Sequence, residues 1–256
     1  PTFPAPLSTP GEMERLVEPD VDEALGHVFE ALSVTRQKLA GRVPLIGFSG
    51  APWTLMAYMV EGGSSKSYRA ARRWLYRHPD ASKALLRRTT DVIVDYLIGQ
   101  VDAGAQMLQV FDSWAGLHSP DTFRTYGLPY LDDIATRVKE AHPDVPLVLF
   151  AKGAHFALDA LADTAYDVLS LDWTMDPSAA RTRVGDRAVL QGNLDPCALY
   201  APPDVLQREV QHMLAGFGPH HHIANLGHGM LPDHDPEHAR VFVEAVHEHS
   251  EDMRTV

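Results

Sequence analysis

Six short apolar, β-branched runs alternate with helix-period stretches along the 256 residues. That alternation predicts an α/β fold, a parallel sheet covered by helices. Two further observations narrow the class. Proline opens most of the helical stretches, as it does at first helical positions. Polar residues collect just past the carboxyl ends of the runs, where a (β/α)8 TIM-type barrel carries its site. Such a barrel takes ~250 residues for eight βα units, and six units are visible here. Two units are therefore hidden or absent. An open doubly wound sheet is the alternative, although no G-x-G-x-x-G follows any run.

The elements follow in order. Residues 20–40 read as a helix ahead of the first strand. Residues 43–48, VPLIGF, read as a buried strand. Ser49-Gly50-Ala51-Pro52 is a small-residue turn that lets backbone approach a ligand. Residues 53–60 form an apolar helix that stops at Gly62-Gly63. Further strands are expected at 105–111, 147–151, 168–171, 188–191 and 222–225. Helices are expected at 79–103, 120–141, 156–164, 177–184, 202–217 and 236–249. No low-complexity linker divides the chain, so residues 1–256 are expected to form a single domain.

Composition excludes several classes. Hydrophobic residues make up 45% and charged residues 22%, ordinary for a soluble globular protein. No apolar run is long enough to span a bilayer, and no secretory leader opens the chain. Cys197 is the only cysteine, which rules out an internal disulfide or a multi-cysteine metal site. A reducing cytoplasmic setting fits. Net charge is −12, and no basic stripe is evident, which argues against nucleic acid.

The groups just past each strand are Ser49, Asp112 and Ser113, Lys152, Asp172, Asn193 and Asp195, and Asn225 to His228. They form a polar ring on an apolar scaffold, as a small-molecule pocket requires. Taken alone, Ser113 is a turn or capping serine. Tyr58 among Leu55, Met56 and Met59 is a core tyrosine. Phe48 and Phe111 are barrel packing. His228 between Gly227 and Gly229 is an exposed loop imidazole able to carry positive charge. The His220-His221-His222 run is a poor metal set, because alternate strand side chains point to opposite faces. Lys152 could serve as a Schiff-base lysine.

Four strings carry a resemblance: PLIGFSGAPWTLMAYMVEGG at 44–63, QVFDSWAG at 109–116, QGNLDPCALY at 191–200 and IANLGHGMLPDHDPEH at 223–238. In this order they resemble the uroporphyrinogen decarboxylase family of haem biosynthesis, from about residue 36 to about residue 250. The resemblance implies an incomplete barrel. The family's upstream motifs R-Q-A-G-R-Y and F-S-D-I do not occur here, residues 1–7 look like the linker after the second, and the chain begins at Pro1.

The resemblance further implies removal of CO2 from four acetate arms of uroporphyrinogen to give coproporphyrinogen, without cofactor or metal. It implies a homodimer. It matches Ser113 to a serine that binds a substrate carboxylate, with Asp112 ranked below it. Tyr58 matches a tyrosine near the reacting carboxylate, and His228 a histidine at the propionate or acetate end. Phe48 and Phe111 match apolar walls of the tetrapyrrole cleft, and Lys152 becomes a charge contributor or ion-pair partner. The family's pyrrole-binding carboxylate and its arginines have no counterpart, so no catalytic residue is assigned and this chain is expected to be inactive by itself. Two other readings stand beside it. One is a non-catalytic tetrapyrrole-binding or interaction product. The other is a cobalamin-linked methyltransferase, which lacks its H-x-C zinc motif here.

Overall fold

The computed structural model describes residues 2–254. Contacts gather the chain into two compact units. One holds the residues up to Ala154 together with Thr164–Tyr166, and the other holds His155–Asp163 and the residues from Asp167 onward.

The first unit opens with an extended segment and a 3-10 turn, Pro10–Arg15, closed by a Thr9/Glu12 capping box. Its helices are α1 (Val21–Leu39), α2 (Pro52–Glu61), α3 (Arg69–Arg77), α4 (Pro79–Asp102), α5 (Pro120–Tyr126) and α6 (Leu128–Ala141). Its strands are β1 (Ile46–Gly50), β2 (Met107–Asp112) and β3 (Leu147–Ala151), paired in parallel in chain order. Gly47 lies opposite Leu108, and Val110 opposite Leu149. β3 is buried along most of its length, hence its continuous apolar run LVLFA. α4 buries Leu85, Leu86, Thr89, Thr90, Ile93, Val94 and Leu97, a stripe at helical spacing. Trp53, Met56, Tyr68 and Trp74 complete the core between α2, α3 and α4.

The second unit contains α7 (Leu158–Ala162), β4 (Val168–Ser170), α8 (Pro177–Val184), β5 (Val189–Leu194), α9 (Pro203–Phe217), β6 (His222–Leu226) and α10 (Pro236–Arg254). Its strands also pair in parallel in chain order, with Leu169 opposite Leu190 and Gly192 opposite Ala224. α9 buries Leu206, Val210, Met213, Leu214 and Phe217. Asp159 accepts from Arg183 at 2.7 Å and from Arg187 at 3.0 Å. Six parallel strands, each leading into helix, are the α/β architecture of a TIM-type barrel with six of its units in this chain.

The departures from the sequence-based expectations have local causes. β1 begins later and runs through Ser49-Gly50, which were read as turn, because the ladder continues until the Ala51 amide donates to the Phe111 carbonyl at 2.9 Å. The expected 120–141 helix breaks at Gly127, two residues before Pro129, whose nitrogen has no hydrogen to give. Residues 155–157 are a 3-10 turn before a shorter α7. α3 was not foreseen. It also corrects the statement that no basic stripe is present: Arg69, Arg73 and Arg77, four residues apart, share one exposed face.

The edge of β1 turned away from β2 is closed by a side chain. The Phe48 amide donates to Gln100 Oε1 at 2.9 Å, and Gln100 Nε2 donates to the Phe48 carbonyl at 3.0 Å. Gly47 makes room for this clamp, since a Cβ there would lie 2.6 Å from Oε1. Gln100→Ala is expected to cost about 2 kcal/mol, two lost hydrogen bonds at ~1 kcal/mol each. A lowered urea midpoint at unchanged m-value reads it. An unshifted midpoint would show that the clamp contributes nothing.

Candidate active site

The site in the first unit is built where β1 turns into α2. Gly50 leaves room there for Leu55, whose side-chain tip would lie 2.9 Å from a Cβ and would have to shift. Pro52 then opens α2 with its φ already set for a helix. Two side-chain bonds lock the helix start onto the end of β2. Trp53 Nε1 donates to the Trp114 carbonyl at 3.0 Å, and Thr54 Oγ1 donates to Asp112 Oδ1 at 2.8 Å.

These constraints leave a cavity of about 250 Å3 lined by Phe3, Phe48, Gly50, Thr54, Leu55, Tyr58, Phe111 and Ser113. Four of the five residues singled out from the sequence thus meet: Tyr58, Ser113, Phe48 and Phe111. Phe48 and Phe111 pack edge to face at 5.9 Å, and Phe111 against Phe150 at 6.0 Å. Phe48 remains 61% exposed. Tyr58 is braced by Tyr68 at 5.7 Å and Trp114 at 6.4 Å, both near perpendicular. Burial beside Tyr58 pushes the Tyr68 phenol well above the usual range, so it stays a neutral brace.

Sequence reasoning missed Phe3. Its segment bonds to α2 through Phe3 N–H to Gly62 O and Leu7 N–H to Met59 O, both 2.8 Å. No periodic signal marks a single extended residue; only the docked backbone places it.

Asp112 differs from the expectation of a polar group facing the site. Its side chain is fully buried. Oδ1 takes the Thr54 hydroxyl, and Oδ2 has no hydrogen-bond partner. Burial raises the carboxyl to about 7 against the opposing hydrogen bonds from Thr54 and the Trp114 backbone. It is a proton-holding strut rather than a carboxylate presented to a ligand. His118, its ring tilted against Trp53 at 4.3 Å, is neutral for the mirror reason: burial, helped by the charge of Arg72, lowers it to about 4.

Lys152 lies at the end of β3, half-buried, with its carbonyl accepting from Gly116 N–H at 2.8 Å. Ser49 is buried inside β1, its hydroxyl on the Gly50 carbonyl at 3.1 Å.

In the second unit, His228 is exposed on the loop after β6. Its ring meets Trp173 edge to face at 6.1 Å. Gly227 makes that approach possible, because a Cβ there would lie 2.4 Å from the Trp173 nitrogen. Asp172 is buried and accepts from Thr174 N–H at 2.9 Å, which sets the Trp173 turn. Asn193 Nδ2 holds the same turn through the carbonyls of Asp172 (2.8 Å) and Met175 (2.7 Å). Asp172 and Asn193 therefore shape the loop.

Asp195 caps the 3-10 turn Pro196–Tyr200 through the Cys197 amide at 2.8 Å and faces outward. The histidine run disperses. His221 is 3.4 Å from Asp186, whereas His222 stacks on Phe217 at 4.2 Å. Among the described residues no three His, Cys, Asp or Glu side chains converge as a metal set, and no helix is long and apolar enough to cross a membrane.

The Asp112 strut has a measurable sign. A carboxyl held near 7 in the folded state keeps its proton while the unfolded chain, at ~3.9, has lost it. Stability then falls as pH rises from about 4 to about 7, by up to about 1.4 kcal/mol per pH unit, and levels above. Asp112→Asn removes that slope. Its melting temperature relative to the parent should rise between pH 5 and pH 8; a constant difference would show that Asp112 is ionised throughout.

The family model described as Uroporphyrinogen decarboxylase (URO-D) matches residues 1–249. The chain is 87% identical to "Uroporphyrinogen decarboxylase" of Salinibacter ruber over its whole length and 72% of the relative's. It is 55% identical to the protein of the same name from Homo sapiens, covering 99% of this chain and 71% of that one. Among solved structures it resembles a methyltransferase from Methanosarcina mazei with TM-score 0.80 at 25% identity, over 96% of this chain and 70% of that one. A B12-independent methionine synthase from Shewanella shares the fold, with TM-score 0.61 at 13% identity over 89% of this chain and 66% of that one. A family match over nearly the whole chain, with relatives above half identity, places it: the chain belongs to the uroporphyrinogen decarboxylase family.

Proposed function

We propose that a polypeptide carrying this chain at its relatives' full length converts uroporphyrinogen to coproporphyrinogen, and that residues 1–256 alone do not. The observation that carries the reading is the single cavity joining Tyr58 and Ser113 to the Phe48–Phe111 wall. It is smaller than the ~300–1,000 Å3 typical of a whole-ligand pocket. It receives one edge of the macrocycle: a pyrrole against the phenylalanines and its carboxylate arm on the two hydroxyls.

The chemistry needs no added cofactor. Protonation of a pyrrole carbon makes an iminium-like ring. The carboxylate C–C bond then breaks, its electron pair flows into the ring, and CO2 leaves; the exocyclic methylene so formed takes a proton to become a methyl group, and the ring carbon gives back the proton it gained. The protein holds the arm and compensates charge. Ser113 and Tyr58 donate to carboxylate oxygens; His228, in the second unit, is by family likeness an imidazolium for a substrate carboxylate. The positive ring needs a carboxylate beside it. Asp112 cannot supply one cheaply, because it is buried and holds its proton to about 7. That is the reason to expect no turnover from this chain by itself.

A cytoplasmic homodimer is part of the proposal, on family likeness. The methyltransferase reading rests on fold likeness at 25% identity, and the sole cysteine lies at the surface. A tetrapyrrole-binding product without turnover is the residual alternative.

Anaerobic incubation with uroporphyrinogen tests the reading. The extended polypeptide should yield hepta- to tetracarboxylate products, and residues 1–256 none. Turnover by residues 1–256, abolished in Asp112→Asn, would make Asp112 the ring's counter-charge and overturn the view. In the extended polypeptide Ser113→Ala and Tyr58→Phe should each lower kcat/KM about 10- to 100-fold, the range for a hydrogen bond to a charged group. His228→Asn should cost more at pH 6 than at pH 8, because only the imidazolium adds charge; a flat ratio would remove His228 from carboxylate binding.

A further inference from the structure

Residues 64–88 carry eight Lys or Arg and one acid, Asp80, within a chain of net charge −12. α3 buries Ala71, Trp74 and Leu75, which turns Arg69, Arg72, Arg73 and Arg77 outward. Lys66, Lys83 and Arg87 are exposed beside them. Among the described residues none of these seven reaches a carboxylate; Arg88 alone does, at 3.6 Å from Glu18. Elsewhere the surface is wired differently. Arg124, Arg137, Arg183, Arg187, Arg208 and Arg240 each lie within 3.0 Å of a carboxylate.

The arrangement works against the helix that bears it. Arg69, Arg73 and Arg77 are like charges four apart, each pair destabilising by roughly 0.2–0.5 kcal/mol. Arg69 stands at the positive dipole end of α3, where the helix has no acid of its own and is capped instead by Glu61 of α2, which accepts from the Ala70 and Ala71 amides at 2.8 and 3.3 Å. Among the described residues no carboxylate pairs with this like-charge row, and a local rule broken without an evident compensating gain marks a functional surface. The surface also adjoins the cavity. Tyr68, the residue capping α3, packs 5.7 Å from Tyr58 and 4.6 Å from Trp114, the neighbour of Ser113.

We propose that the arginine face of α3 is an electrostatic guide for the polycarboxylate ligand, concentrating it at the mouth of the Tyr58–Ser113 cavity. The proposal rests on the decarboxylase reading and deepens it. An acidic protein repels a polyanion overall, and a local field of opposite sign reverses this over about one Debye length, ~8–10 Å at physiological salt. Such fields raise association rates by ~10- to 1,000-fold and fade with ionic strength.

The test is stopped-flow binding of uroporphyrin, the stable oxidised octacarboxylate, to the extended polypeptide, read by tryptophan quenching. The variant combines Arg69→Glu, Arg73→Glu and Arg77→Glu; a second combines the same three positions as Gln. The Glu variant should associate at least ~10-fold more slowly at low salt, the Gln variant less so, with the deficit gone near ~0.5 M salt. Dissociation should stay unchanged, whereas Ser113→Ala should speed it. A dicarboxylate porphyrin should be affected far less. Unchanged uroporphyrin association would overturn the guide while leaving the cavity reading intact. Equal loss for the dicarboxylate, arginine-dependent retention of duplex DNA, or an altered sedimentation coefficient in the variant would each reassign the face and overturn it. Failure of uroporphyrin to bind the parent protein at all would remove the decarboxylase reading and this proposal together.

Discussion

The buried hydrogen bond from Thr54 to Asp112 decides the shape of the site. It joins the first turn of α2 to the last residue of β2 at 2.8 Å, in a place without solvent. With the Trp53–Trp114 bond beside it, it fixes how α2 leaves the sheet. Tyr58, one helical turn after Thr54, and Ser113, one residue after Asp112, inherit their separation from that bond. A carboxyl there is costly when ionised, and it escapes the cost by holding its proton toward neutrality. The polar rim of the cavity is thus suspended from a buried pair whose carboxyl is shifted toward its protonated form.

The apolar half of the cavity is held differently. Phe48 and Phe111 are neighbours across the β1–β2 ladder, with Phe48 opposite Gln109 and Gly50 opposite Phe111 in register. Their rings meet edge to face, the arrangement that aromatic quadrupoles favour. Gln100 keeps Phe48 in the strand by saturating its outward amide and carbonyl. On the proposed reading, one pyrrole with its carboxylate arm needs both halves: apolar walls for its face and hydroxyl donors for the arm.

Charge is distributed with the same division of labour. The molecule is acidic overall; outside residues 64–88 most of the described arginines lie against carboxylates, whereas Arg69, Arg72, Arg73 and Arg77 of α3 have no carboxylate partner among the described residues. The second unit carries its polar groups as loop scaffolding. Asp172 and Asn193 spend their hydrogen bonds on the turn that presents Trp173, against which His228 stands.

The sequence by itself determined the alternation of strand and helix, the six parallel units, the family, and the residue types at the cavity. These are local properties: apolar period, proline at helix starts, and strings such as QVFDSWAG are complete within a few residues. It also pointed to Tyr58, Ser113, Phe48 and Phe111. Tertiary structure alone decided that Asp112 turns inward to Thr54 while Ser113 beside it faces the cavity, since alternate residues at a strand end take opposite sides. It decided that Asp195 caps a turn and that the histidine run disperses. It brought in Phe3, whose place depends on backbone bonds to residues about sixty positions away. α3 was illegible for a related reason. Its nine residues are mostly arginine, and only packing of Ala71, Trp74 and Leu75 against the core makes them a helix with a charged face.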